Sequence, residues 1–180
     1  MEFKESKTFA NLMTAFSGES QARNKYTFYA KKAKEDGFVH IQHIFEDTAR
    51  NEQAHAKLWF KLLNDGQIGP TQQNLGDAAD GEHYEWSDMY ASFAATAKEE
   101  GYDRIAFLFS GVADIEREHE KRFRKYLAEL EQERVFKKAE KTVWKCENCG
   151  YEYAGENAPD VCPICGRKRE YFAPAETTIK

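Results

Sequence analysis

Between residues 38 and 62, apolar side chains recur at alternating steps of three and four, so that Phe38, Ile41, Phe45, Thr48, Glu52, His55, Trp59 and Leu62 fall on one helical stripe. The stripe returns at Tyr102, Ile105, Phe109, Val112, Glu116, His119, Phe123 and Tyr126. Such a stripe is the seam of a helix packed among other helices. Both seams are apolar apart from one Glu-x-x-His each. From about residue 5 to residue 131 the chain is rich in Ala, Glu, Lys and Leu and holds a single proline, Pro70, a composition that favours helix. Breaks fall at KEDGF (34–38), at NDGQIGPTQQNLGDAADG (64–81) and at KEEGY (98–102). Gly37 and Gly101 suit the left-handed residue that closes a helix. The pattern predicts four helices: the first and third connections are tight, and the middle one is long enough to run back along a bundle as a crossover.

A repeat supports this division. A shift of 64 positions lays residues 33–57 over 97–121 with ten of 25 positions identical, among them Gly37/Gly101, Ile41/Ile105, Phe45/Phe109, Glu52/Glu116 and His55/His119; the same shift maps Tyr26 onto Tyr90. The bundle therefore reads as two related helical hairpins.

Composition narrows the setting. At 180 residues, 41% hydrophobic and 32% charged, the chain reads as soluble and globular. Its first residues lack the pattern of a signal peptide and no apolar run approaches a membrane span, so a cytoplasmic protein is expected. The net charge of −5 includes no basic block, which argues against nucleic acid and anionic membranes as partners. Past residue 131 the pattern of EQERVFKKAEK does not distinguish a helix end from a linker. The last 40 or so residues carry all four cysteines and three of the four prolines, and a segment that short needs a staple to fold.

The polar seam positions carry the chemistry. Glu and His at i and i+3 project from one face of a helix. Glu19 lies in the seam of the first helix between Phe16 and Tyr26, and the third helix presents Glu82 and Glu85. Five carboxylates and two imidazoles, from Glu19, Glu52, His55, Glu82, Glu85, Glu116 and His119, would then converge, with only Arg23 as a cation at an inner position. Buried carboxylates cannot all ionise without compensation. Two divalent ions would bring +4 and two trivalent ions +6 against −5 from five glutamates, which favours a metal cycling between those charges. Oxygen-rich ligation with a few imidazoles suits iron or manganese better than copper, and zinc could not cycle. Solvated charges are the ordinary fate of a lone Glu-x-x-His; two copies in register on apolar seams are not explained that way. His40, His43 and His83 lie off the seams and read as solvated or locally satisfied. Tyr26 and Tyr90 have the phase to hydrogen-bond the carboxylates, and core packing would account for them equally.

Cys146-x-x-Cys149 and Cys162-x-x-Cys165 are two knuckles, each followed by glycine. In a reducing compartment this spacing indicates a metal rather than disulfides. Four thiolates give a tetrahedral site that accepts zinc or a single iron. A redox dimetal site in the same chain shifts the weight to iron, a one-electron carrier.

With these residues assembled, the chain resembles the rubrerythrins over almost its whole length. The resemblance is carried by Glu19, by RNEQAH with Glu52 and His55, by GEHYEWSDMY (81–90), by IEREH with Glu116 and His119, and by WKCENCGY…CPICG. The 12 residues between Cys149 and Cys162 match the shortened knuckle spacing of that family, and the cysteine domain stands last, as in its usual order. The resemblance implies an all-α ferritin-like four-helix bundle with a long crossover over residues 1–140, holding two irons, and a small rubredoxin-like metal-knuckle domain over 141–180, holding one. Zinc can replace iron in either site of an isolated protein. It further implies that Glu52 and Glu116 bridge the two irons, that Glu19 and Glu85 serve one and Glu82 and His119 the other, and that His55 ligates the ferrous state while Glu85 ligates the ferric one. No ligand position departs from the family pattern.

The activity expected is reduction of hydrogen peroxide to water, with electrons refilled through the thiolate iron as part of oxidative-stress defence. No Gly-rich nucleotide turn is present, so the resemblance implies an external NAD(P)H-linked reductase or a rubredoxin as donor. A ferroxidase that handles iron and a zinc-loaded structural or sensor protein are the competing expectations. Because Glu116 stands about 15 residues before the end of its helix, the tethered thiolate site would lie some 20 Å or more from the dimetal site of its own chain. A homodimer or larger oligomer is therefore expected, with electrons crossing between subunits.

Overall fold

The computed structural model describes residues 2–175. After a single 3₁₀ turn at Phe3–Glu5, α1 spans Lys7–Glu35 and α2 spans Val39–Leu63. Ser6 caps α1 by accepting the Phe9 N–H at 3.1 Å. The two helices turn at Gly37, whose φ of 84° few other residues adopt. There the Phe38 N–H reaches back to the Ala33 carbonyl at 2.8 Å and the Gly37 N–H to that of Lys34 at 3.0 Å, closing the helix end as a Schellman motif.

The same device recurs 64 residues later. Gly101 has φ 83°, and Tyr102 N–H to Ala97 O (2.8 Å) and Gly101 N–H to Lys98 O (3.2 Å) reproduce the first turn, leading from α4 (Tyr90–Glu99) into α5 (Asp103–Glu131). The repeat read in the sequence is thus realised as two antiparallel hairpins.

The third helix differs from its expectation in two ways. It begins at Thr71, as α3 (Thr71–Tyr84), so the glycine-containing run read as connection from 64 to 81 is helical from Thr71 onward and Asn64–Pro70 alone joins the hairpins. Gly76 and Gly81 lie inside the helix, where each costs about 1 kcal/mol relative to Ala; burial of Ala79 and the Gln72–Glu131 hydrogen bond of 3.1 Å hold α3 against α5 regardless. Secondly, Glu85–Met89 forms a π turn between α3 and α4.

The chain divides into two compact units, Met1–Pro70 and Thr71–Lys180. Within the first, α1 and α2 close on small residues: Ala30, Ala33, Ala49 and Ala56 are buried, and Phe16 meets Phe60 at 5.6 Å between ring centroids. Within the second, Ala79, Ala97 and Ala106 play that part. The larger seam residues are less covered, with Phe38 at 58%, Ile41 at 44%, Tyr102 at 58% and Ile105 at 45% exposure.

Beyond α5 the charged run turns at Glu133 (φ 54°) and enters β1 (Lys137–Cys146), which pairs antiparallel with β2 (Glu152–Asn157) on one side and β3 (Phe172–Pro174) on the other. Cys146 stands opposite Phe172 and Trp144 opposite Tyr153. Trp144, Cys146, Ala158, Cys162 and Phe172 form a small core, and the Trp144 indole N–H donates to the Gly155 carbonyl at 2.9 Å. Among the described residues no helix is long and apolar enough to cross a membrane.

Candidate metal centres

Among the described residues, three groups of side chains bring ligand atoms within 4.8 Å of one another: Glu19, Glu52 and His55; Glu82, Glu116 and His119; and the four cysteines. All six members of the first two groups were singled out in the sequence, five on helical seams and Glu82 on the third helix.

In the first hairpin, His55 Nδ1 stands 3.0 Å from Glu52 Oε2 and 3.9 Å from Glu19 Oε1. In the second, His119 Nδ1 stands 2.5 Å from Glu116 Oε2 and 3.7 Å from Glu82 Oε2. The i, i+3 spacing puts each His beside its own Glu, and the neighbouring helix supplies the second carboxylate. Burial and the adjacent Glu116 push the Glu82 carboxyl above its ordinary range, against His119, with a smaller push from Glu85. A carboxylate pair in that position is charge-frustrated and fits a cation.

Glu85 stands on the π turn, outside the second triad. It is near enough to help raise the Tyr90 hydroxyl, although burial is the larger cause there. Tyr90 packs against Phe93 and Phe109 at 6.2 and 5.9 Å, as Tyr26 packs against Tyr29 and Phe45 at 6.3 and 6.2 Å. His40 and His43 are exposed.

The repeat explains the π turn. The 64-residue shift that superposes Tyr26 on Tyr90 carries Glu19 to His83, one place beyond Glu82. In α1 the step from Glu19 to Tyr26 is seven residues, close to two turns; from Glu82 to Tyr90 it is eight. In an unbroken α-helix that extra residue would swing Tyr90 about 80° off the face of Glu82. The Tyr90 N–H instead bonds to the Glu85 carbonyl five residues back, and the wider turn absorbs the insertion.

Sequence reasoning missed the group behind this turn. Glu120, next to His119, accepts the Trp86 indole N–H at 2.7 Å and the Arg124 Nε–H at 2.7 Å, and lies 3.1 Å from His83 Nδ1. Arg124 also bonds to Asp80 at 3.1 Å. The Trp86 hydrogen bond above all, joined by Arg124 and His83, outweighs burial and holds the Glu120 carboxyl down at about 2. His83 is satisfied locally, as its position off the seam implied. The one-residue mismatch in the repeat was the available signal for the π turn, and nothing in the periodicity marks Glu120 or Trp86.

The cysteines approach as a tetrahedron. Cys146 and Cys165 sulfurs are 3.7 Å apart and those of Cys149 and Cys162 3.6 Å, whereas a tetrahedron with metal–sulfur bonds of about 2.3 Å has edges of about 3.8 Å. All four cysteines are free. Gly150 (φ 80°) and Gly166 (φ 69°) turn each knuckle, with their N–H groups on the Cys146 and Cys162 carbonyls at 2.8 and 2.9 Å. The Arg167 N–H, followed by neighbouring thiols and Asn148, draws Cys165 down to about 6 against burial. At Cys149 the Tyr151 N–H pulls downward, but burial and the other three sulfurs push the thiol up to about 12. Four thiols so divided fit a cation that lets all of them ionise.

The family model for rubrerythrin matches residues 10–127, and that for the rubrerythrin rubredoxin-like domain matches residues 144–173. The chain belongs to the rubrerythrin family. Rubrerythrin-1 of Clostridium acetobutylicum is 47% identical, covering 94% of this chain and 94% of its own. Rubrerythrin of Porphyromonas gingivalis is 44% identical over 97% of this chain and 92% of its own. A solved structure of nigerythrin in a partially reduced state matches 94% of this chain and 86% of its own at 31% identity, with a TM-score of 0.37, too loose a superposition for any argument about arrangement. Helices followed by a small four-cysteine strand domain are consistent with the ferritin-like bundle and rubredoxin-like domain of this family. The carboxylate–histidine groups fit a diiron site.

Proposed function

We propose that this rubrerythrin is a peroxidase that reduces hydrogen peroxide to two waters with two electrons and two protons. The observation that carries the reading is the presence, in one chain, of two matched Glu–Glu–His triads and a four-sulfur cluster spaced for a tetrahedral ion. Glu19, Glu52, Glu82, Glu85, Glu116 and His119 would hold two irons, Glu52 and Glu116 serving both, and His55 would be a further ligand in the reduced state. Tyr26 and Tyr90 would orient the carboxylates from behind. Such an iron pair supplies two electrons for cleavage of an O–O bond, and a four-thiolate iron returns them singly.

The protein's part is to keep seven ligands on rigid helices and to balance their charge. Electrons would come from an NAD(P)H-linked reductase or a rubredoxin, and the working unit would be a homodimer or larger oligomer. The test is metal analysis and turnover on the purified protein: three irons per chain, visible ferric-thiolate absorption and reductase-fed loss of peroxide are expected. A colourless zinc protein, or oxidation of free ferrous iron that outpaces peroxide turnover, overturns the reading.

A further inference from the structure

We propose that Glu120 is a positioning residue whose bonds to Trp86, His83 and Arg124 hold the π turn in place and so fix where Glu82 and Glu85 stand. The assignment of Glu82 and Glu85 as ligands rests on the function proposed above; the clamp itself rests on geometry. Its members Asp80, His83 and Trp86 alternate along one stretch of chain with Glu82 and Glu85. On α5, Glu120 and Arg124 stand next to Glu116 and His119 in the same way. The two helical segments are therefore joined on two adjacent faces, by the triad on one and by the clamp on the other.

The triad face cannot hold the π turn by itself. Glu82 and Glu116 repel when both are ionised, and a π turn is an intrinsically rare backbone state. The clamp joins the elements without a metal. Trp86 lies on the π turn and His83 just before it. Both converge on Glu120 Oε2, while Arg124 holds Oε1 and extends the network to Asp80. The His83 and Trp86 rings meet edge to face at 5.2 Å. Glu120 has only 12% of its side chain exposed, and its bond from the Trp86 indole is part-buried, a charge-assisted contact stronger than a neutral one. The hairpin of α1 and α2 has seven-residue spacing from Glu19 to Tyr26 and no π turn. The clamp occurs on the side of the repeat that carries the extra residue.

Two variants test this in the full chain: Trp86→Phe, which removes one N–H donor and keeps a ring, and Glu120→Gln, which keeps size and removes charge. Glu118→Gln is the control, because Glu118 lies on the same helix and pairs with Lys121 outside the clamp. In metal-free bundle with the thiolate site loaded, amide exchange across residues 85–90 should rise about tenfold in both variants and not in the control. On loading with ferrous iron, affinity should fall about tenfold or more in both variants, and of the two ferric Mössbauer doublets one should shift. Unchanged exchange at 85–90 in Trp86→Phe overturns the clamp, even if Glu120→Gln fails to fold. Equal effects in Glu118→Gln overturn it as well. A wild-type protein that holds no metal pair would instead overturn the ligand assignment, and the exchange measurement would still judge the clamp.

Discussion

Glu52 and Glu116 each sit three residues before a histidine that they touch, at 3.0 and 2.5 Å. As the carboxylates shared between both ions in the proposed centre, neither is replaceable by a neighbour. Glu52→Ala or Glu116→Ala should lose both bundle irons and retain the one at Cys146, Cys149, Cys162 and Cys165; iron counting alongside the ferric-thiolate absorption checks this. Glu120 gives a different expectation. Its folded carboxyl is held near about 2, below the ordinary value of about 4.3. A depressed carboxyl contributes stability that is fully present above the unfolded value and is lost as pH falls through the folded one. Metal-free protein should therefore lose stability between about pH 4.5 and pH 2, and Glu120→Gln should flatten that limb of a pH-dependent melt. A limb equally steep in the variant would assign acid lability to other carboxylates.

At the scale of elements, the two hairpin turns carry matching bonds and matching left-handed glycines. Gly37→Ala and Gly101→Ala should each cost roughly 1–2 kcal/mol, and together about the sum, since the turns share no partner; denaturant melts of both single variants and the double variant check this. These turns were legible in the sequence because a glycine at a helix end has one strong reason to be there. The seam was legible because Glu-x-x-His interrupts an otherwise apolar stripe, and that located Glu52, His55, Glu116 and His119, with Glu19 and Glu82 read from the other two helices. The start of α3 was not, because Gly76 and Gly81 look like a connection, and only packing against α5 outweighs their low helix propensity. Nor was the clamp: Trp86 and Glu120 lie 34 residues apart and off both seams, so periodicity has nothing to say about them. The strands after residue 136 were equally hidden, since β1 opens with Lys137 and Lys138 and draws its stability from pairing and from the cysteine core.

For the whole molecule, the question is how the two kinds of centre work together. Cys149→Ser should leave a chemically reduced bundle able to consume one equivalent of peroxide, yet stop turnover fed by a reductase. If electrons pass between subunits, mixing Cys149→Ser with Glu52→Ala protein should restore reductase-driven activity as hybrids form. Restoration absent despite proven subunit exchange would place the path within one chain. The small C-terminal core should depend on its ion more than the helices do, because two of its five buried members are cysteines. Removing that metal under reducing conditions should abolish the near-ultraviolet dichroism of Trp144 while helical dichroism persists.

The single residue by which Glu82-to-Tyr90 exceeds Glu19-to-Tyr26 also bears on ancestry. A hairpin that once paired with an identical copy of itself would have offered two equivalent halves, and ions held between them would have had no reason to differ. If the two hairpins descend from one, the extra residue in the later copy is accommodated as a bulge that keeps its tyrosine in phase. The lengthened copy gained a place for Glu85, which has no counterpart in the earlier one. In the centre proposed above, the two ions would then be chemically unequal because one hairpin carries a carboxylate, Glu85, that the other lacks.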